Sequence, residues 1–196
     1  MSAFNGKRKL GTRQKLHIAA MLLLAAALLF SCGKGAVDPL AYRDCPFTAE
    51  LKGRMALREG EVIEFSATAS VGEPSDKTRE ISISFHSPSA LDGLCFCRHS
   101  DGGFTVRLDD SEYRLEGDGG ITGIAKIMGM LEADGDTVGI SSIPGKEAGL
   151  TQYERLTLID MGSYLLLIDP HTSAPVGARS ADLAIDISFE AFTSGS

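Results

Sequence analysis

The sequence predicts an α+β, mainly β domain, in which a curved antiparallel sheet of about 8–11 strands holds one apolar helix in its concave face. Three observations carry this prediction. Apolar and polar residues alternate with a period of two along most of the chain after Pro46, and the period changes to three and four only between Ile121 and Leu131. The dry sheet face is also too large for one helix to cover.

The first strand opens at Phe47, with Ala49, Leu51, Gly53, Met55 and Leu57 on one face and Thr48, Glu50, Lys52 and Arg54 on the other. Ile63, Phe65, Ala67, Ala69 and Val71 repeat the pattern after Arg58-Glu59-Gly60-Glu61, which reads as a hairpin turn. Ile81, Ile83 and Phe85 make a third strand that stops before Pro88. Shorter strands follow at 94–99, 104–108 and 112–116, separated by Ser100-Asp101-Gly102-Gly103 and Asp109-Asp110-Ser111.

Between Gly119 and Glu132 the apolar residues Ile121, Ile124, Ile127 or Met128, and Leu131 recur at helical spacing. Only Thr122, Lys126 and Glu132 break an apolar or glycine surface, so this helix requires burial. Strands resume at 136–140, 153–160, 163–169 and 174–178. The last, 183–192, sets Leu183, Ile185, Ile187, Phe189 and Ala191 against Asp186, Ser188 and Glu190.

About eight strands of about seven residues present on the order of 900 Å² of dry face, whereas a helix of about 12 residues covers about 180 Å². The sheet therefore curls around the helix into a partial or closed barrel, meets another chain, or leaves an apolar hollow for a ligand. The inward residues Leu51, Met55, Phe65, Ile83, Phe85, Ile124, Met128, Leu131, Ile187 and Phe189 are the candidate lining of such a hollow, and equally the candidate core. Met55, Met128, Met130 and Met161 suit either role, because thioethers adapt to irregular neighbours.

The amino terminus carries an address. Lys7, Arg8, Lys9, Arg13 and Lys15 precede thirteen apolar residues, Ile18 to Phe30, and then Ser31-Cys32. Thirteen residues rise about 20 Å as a helix, short of a hydrocarbon core of about 30 Å, so an export signal is expected rather than a span. Leu29-Phe30-Ser31-Cys32 resembles a bacterial lipobox, which implies cleavage before Cys32 and diacylation of its thiol. The expected organisation is a signal peptide at 1–31, a lipidated tether at 32–40, one domain at 41–192 and a loose tail at 193–196. The mature chain would then sit outside the cytoplasm, anchored to a bacterial membrane through Cys32.

The net charge is −7, yet all five basic residues before Cys32 belong to the leader, so the remainder carries 14 basic against 26 acidic residues, −12 in all. A body of that sign repels phosphate backbones and excludes nucleic acid as a partner. Its densest acidic stretch is Asp109, Asp110, Glu112, Glu116 and Asp118.

Cys45, Cys95 and Cys97 remain after Cys32, an odd number for an oxidising compartment. They are disulfide candidates, Cys45 with Cys95 or Cys97, or free thiols. Cys95, Cys97 and His99 share one strand face, which His86 could approach from a neighbour. Zinc sites favour a C-x2-C turn over residues about 6.5 Å apart on a strand, so no metal and no cofactor are expected.

Several of these segments together resemble the LolA/LolB-like lipoprotein-carrier superfamily over residues 41–192. They are the lipobox, the opening strand Phe47 to Gly53, the meander with Pro88-Ser89-Ala90-Leu91-Asp92-Gly93, the apolar helix, and the run Tyr164-Leu165-Leu166-Leu167-Ile168-Asp169 with Thr172 and Pro175. The closing strand Ile185 to Phe192 completes the set. The resemblance implies a half-open antiparallel β-barrel whose helix-capped concavity takes acyl chains of lipids or lipoproteins.

The expected function is acyl-chain binding by a membrane-tethered lipoprotein. The alternative is a non-enzymatic envelope interaction or sensing lipoprotein with a fully packed β core. An enzyme is not expected. The chain has no G-x-S-x-G, H-E-x-x-H, P-loop or G-x-G-x-x-G, and His86, His99 and His171 stand without a sequence partner. Asp134-Gly135-Asp136 lacks the further ligands of a calcium loop and reads as a turn.

Overall fold

The computed structural model describes residues 38–56, 61–75, 78–116 and 121–195. The leader, Cys32, the tether as far as Val37, the Arg58–Gly60 turn and Asp118 lie outside them.

Eleven strands form one antiparallel sheet. In chain order they are β1 (Phe47–Ala56), β2 (Val62–Val71), β3 (Ile81–Ser87), β4 (Leu94–Arg98), β5 (Phe104–Leu108), β6 (Ser111–Leu115), β7 (Gly139–Pro144), β8 (Arg155–Asp160), β9 (Leu165–Ile168), β10 (Pro175–Ser180) and β11 (Ile185–Ser194). Helix α1 (Thr122–Glu132) lies between β6 and β7 in sequence.

The spatial order is β6-β5-β4-β3-β2-β1-β11-β10-β9-β8-β7, two meanders joined where the first strand pairs with the last. Since β6 and β7 are the two edges, the chain crosses from one edge to the other through α1. Among the described residues this is the expected half-open barrel with a single α-helix.

Alternation builds the concave wall. Phe47, Ala49, Leu51 and Met55 of β1, Phe65, Ala67, Ala69 and Val71 of β2, and Ile81, Ile83 and Phe85 of β3 are all buried, while their neighbours in sequence stay wetter. Against this wall α1 buries Ile124, Ile127, Met128, Met130 and Leu131, the residues its helical spacing selects. The helix stops where Ala133 turns left-handed at φ 53 and its N–H returns to the Gly129 and Met130 carbonyls. The Tyr164 hydroxyl donates to the Asp134 carbonyl at 2.6 Å and fixes the exit.

That exit explains a shifted strand. A strand was expected at 136–140, but Gly135 at φ 111 still belongs to the turn, and pairing of β7 begins only at Gly139. Likewise β8 begins at Arg155 rather than Tyr153, because the Tyr153 N–H is taken by the Leu150 carbonyl in a turn. At the carboxyl end β11 continues two residues into the expected tail, with Thr193 opposite Thr48 and Ser194 opposite Phe47. At the other end Leu40, expected in the tether, is buried.

The sheet is not dry on one face only. Leu156, Leu167, Val176 and Ala148 form a second cluster, backed by Ile143, Leu150, Tyr153 and Leu158. The side chains of Leu166 and Ile168 enter the main core while Leu167, between them, enters this second one, so β9 is apolar on both faces. That is why Leu165 to Ile168 reads as an unbroken apolar run.

One buried cation ties the amino-terminal end to the sheet. Arg79, 7% exposed, donates from Nε to the Gly72 carbonyl at 2.9 Å, from Nη1 to the Arg43 carbonyl at 2.5 Å and from Nη2 to the Cys45 carbonyl at 2.6 Å. Its burial draws the guanidinium pKa down. The fork clamps the short 3-10 turn Ala41–Asp44 against the β2–β3 connection.

Candidate functional site

The ten residues expected to line a hollow all lie in the main core between the wall and α1, none more than 9% exposed. Phe65 and Phe85 pack edge to face with centroids 5.5 Å apart, and Phe85 meets Phe96 in the same way at 5.9 Å. Phe65 also borders a surface groove of about 750 Å³ beside Lys52, Glu64 and Pro88.

An open cleft of about 870 Å³ lies instead at the rim, where the ends of β1, β9, β10 and β11 meet. None of those ten residues borders it. Its wall is mainly apolar and includes Val62, Tyr164, Leu165, Ala181, Ala184 and Ile185. Val62 is 51% exposed, whereas Tyr164 and Ile185 are buried and belong to the main core, so the cleft opens directly onto that core.

Charge is arranged around this opening. Asp186 accepts from Arg179 Nε at 3.1 Å and lies 3.4 Å from Arg54 Nη2. Two guanidinium groups thus share one carboxylate, although these pairs are substantially exposed and individually weak. Asp182 accepts from the Ser180 hydroxyl and lies 3.8 Å from Lys126 Nζ. The Ser180 hydroxyl, helped by Lys126, holds the Asp182 carboxyl below its usual range. Lys126 Nζ also sits 5.5 Å from the centre of the Tyr164 ring.

The carboxyl end of α1 borders a polar hollow of about 540 Å³ lined by Arg43, Arg79, Arg98, Glu132 and Asp134.

Sequence alternation placed Ile185 on the dry side and Asp186 on the wet side, but gave no sign that Arg54 and Arg179 converge on Asp186. Arg54 precedes Asp186 by 132 positions. Only the β1–β11 and β10–β11 pairings bring the three together, through the registers Arg54 with Asp186 and Arg179 with Asp186.

The three described cysteines are free thiols. Cys45 is exposed, while Cys95 and Cys97 bring their sulfurs within 3.6 Å of each other. The His99 ring is engaged at Nε2 by the Thr105 hydroxyl at 3.0 Å. Among the described residues no group of three or more His, Cys, Asp or Glu converges as a metal site.

His86 Nε2 lies 2.7 Å from Thr68 Oγ1, and the same hydroxyl lies 3.0 Å from Glu50 Oε1. The carboxylate thus meets the hydroxyl rather than the far ring nitrogen, so the three do not form a nucleophile–base–orienter relay. His171 is exposed, with its backbone N–H donating to Asp169. Asp109, Asp110, Glu112 and Glu116 are solvent-facing around the β5–β6 hairpin. Among the described residues no helix is long and apolar enough to cross a membrane.

No family model matches the chain, and no curated protein matches its sequence. Among solved structures, a LolA superfamily protein from Nitrosomonas europaea is 11% identical at a TM-score of 0.40, the alignment covering 82% of this chain and 94% of that one. A DUF1329 family protein from Desulfovibrio piger is 12% identical at a TM-score of 0.42, covering 80% of this chain and 91% of that one. A conserved protein from Thermus thermophilus is 13% identical at a TM-score of 0.39, covering 82% and 85%.

Proposed function

We propose that this protein is a membrane-tethered, extracytoplasmic lipoprotein that binds the acyl chains of a lipid or lipoprotein, with the rim cleft as the point of entry. The observation that carries the reading is the cleft of about 870 Å³ with mainly apolar walls, opening onto the core at Tyr164 and Ile185. Pockets that hold small ligands span about 300–1,000 Å³, and each methylene removed from water contributes about 0.8 kcal/mol.

The paired guanidinium groups of Arg54 and Arg179 suit an anionic head group at the opening. Carriage of this kind needs no catalytic group and no cofactor. The tether at Cys32 would keep the cleft within reach of the membrane surface, since two acyl chains anchor stably where one binds marginally.

One observation favours a second reading. The concave face is filled by its own side chains, so deeper entry of a chain requires α1 to move outward. A core that stays filled suits a non-enzymatic interaction or sensing lipoprotein.

The test uses the full-length chain carrying C32S, purified and extracted with organic solvent for mass spectrometry, followed by titration with a fluorescent fatty acid. The expected result is co-purified lipid and saturable uptake. A181W, at an exposed cleft position, should weaken that uptake about tenfold while leaving the circular dichroism spectrum unchanged. A clean extract with no uptake would overturn the carrier reading, and stable protein partners cross-linked on intact cells would then support the second.

A further inference from the structure

We infer that Cys95 and Cys97 form a chelating dithiol site for a two-coordinate, thiophilic monovalent metal ion of the copper(I) type. The pair lies on β4, between β3 and β5, with Phe96 turned into the core and the two thiols projecting from the opposite face. Their sulfurs are 3.6 Å apart, and Arg107, opposite Cys95 on β5, places Nη2 3.7 Å from the Cys95 sulfur. Two thiols and a guanidinium therefore converge on one point of the outer face.

Strand geometry decides what such a pair can do. Residues two apart on a strand are separated by about 6.6 Å, whereas a disulfide needs Cβ atoms about 3.5–4.5 Å apart. Closing that bond would bend β4 out of a ladder in which Cys95 pairs with both Ser84 and Arg107. A bridging ion makes no such demand. With thiolate–metal bonds of about 2.3 Å, sulfurs spaced anywhere up to about 4.6 Å can share one ion, bent or linear.

The ligand count then selects the metal. Zinc wants four ligands, and His99, two residues further along this face, is already held by Thr105. Thiolate ligands favour copper(I), and that ion is content with two of them. On binding, two S–H bonds break and two Cu–S bonds form, two protons pass to solvent, and the copper remains monovalent. Arg107 offsets part of the negative charge that the two thiolates bring. Alternation alone places the thiols on one face without showing that they lean together.

The experiment titrates copper(I), under anaerobic conditions and in detergent, into the full-length chain carrying C32S and C45S, against the chromophoric chelator bathocuproine disulfonate. One equivalent of copper(I) should be withdrawn from the chelator, with a thiolate-to-copper charge-transfer band in the ultraviolet. Adding C95S or C97S should each abolish both signals. Because Cys97 is half-buried on the surface of a strand, C97S should leave the melting temperature close to that of the parent, so a lost signal reports the ligand rather than the fold. Failure to withdraw copper, or withdrawal that survives C95S and C97S, would overturn the assignment. So would a Cys95–Cys97 disulfide, two daltons lighter, forming in air in place of metal binding.

Discussion

Arg98 Nη2 lies 2.5 Å from Glu132 Oε2, with both side chains largely buried at 12% and 16% exposure, and this contact ties the last turn of α1 to β4. The ion pair and the Tyr164 hydroxyl add to the left-handed Ala133 cap and to the buried Met130 and Leu131 in holding the carboxyl end of the helix against the sheet. Arg98 Nη2 also lies 3.3 Å from the Arg79 carbonyl, which leaves the guanidinium well satisfied in place.

Removing one partner of this pair strands the other charge in a partly desolvated site. E132A should therefore destabilise the fold by about 2–3 kcal/mol, and R98M with E132L by less than E132A alone. Urea unfolding of the three variants checks this. A double variant less stable than E132A would show that the pair contributes more than the charge left behind.

Gly53 faces the core at a point where no side chain fits. A Cβ there would lie 2.7 Å from the Asp186 carbonyl oxygen and 3.0 Å from Phe65 Cζ, and its register partners are Phe65 on β2 and Ile187 on β11. The close atom on the β11 side is backbone and cannot swing away, so G53A must push β1 and β11 apart. The expected loss is about 2–3 kcal/mol by overpacking, against the small gain that alanine gives in an unhindered strand. A thermal melt indistinguishable from the parent would contradict this packing.

Tyr42 is buried between Phe47 and Phe192, and its hydroxyl has no hydrogen-bond partner among the described residues. Burial, and secondarily the nearby Tyr164, raises its phenol pKa far above the ordinary 10.0. An acid whose folded value is raised leaves stability intact below its unfolded value and loses it as pH climbs beyond. The fold should therefore weaken above about pH 10. Y42F should raise stability at neutral pH by about 1 kcal/mol and flatten the alkaline loss, with the residual slope coming from Tyr164, whose phenol is raised by burial as well. Unfolding of Y42F that matches the parent at both pH values would sink the argument.

Much of the fold was legible because it is written locally. Period-two alternation fixed the strands from Phe47 to Phe85, and a change to helical spacing fixed α1 within a residue or two, since both patterns depend only on which side chains share a face. The boundaries at β7 and β8 drifted where turns decide them, and β11 drifted two residues toward the carboxyl end. The left-handed Ala133 has no propensity signature, and the Tyr153 turn depends on a carbonyl that the sequence does not point to.

The candidate site was less legible. The inward residues are buried, yet alternation cannot distinguish a side chain that borders a hollow from one that fills it. The cleft arises where Arg54, Tyr164, Arg179 and Ile185 meet, and the convergence of the two Cys sulfurs depends on rotamers as well as strand direction.

By itself, then, the sequence determined the class of the fold, the position of its one helix and the segments that form its wall, because burial of alternating apolar faces leaves little choice of secondary structure. Only the tertiary structure decided that β1 pairs with β11, that Arg79, Arg98 and Asp186 find partners from distant segments, and that open space lies at the rim rather than under the helix. The β1–β11 pairing joins residues more than a hundred positions apart, the Arg79 and Arg98 contacts join separate segments, and the filling of the sheet's curve depends on side-chain packing; none of these leaves a periodic trace in the chain.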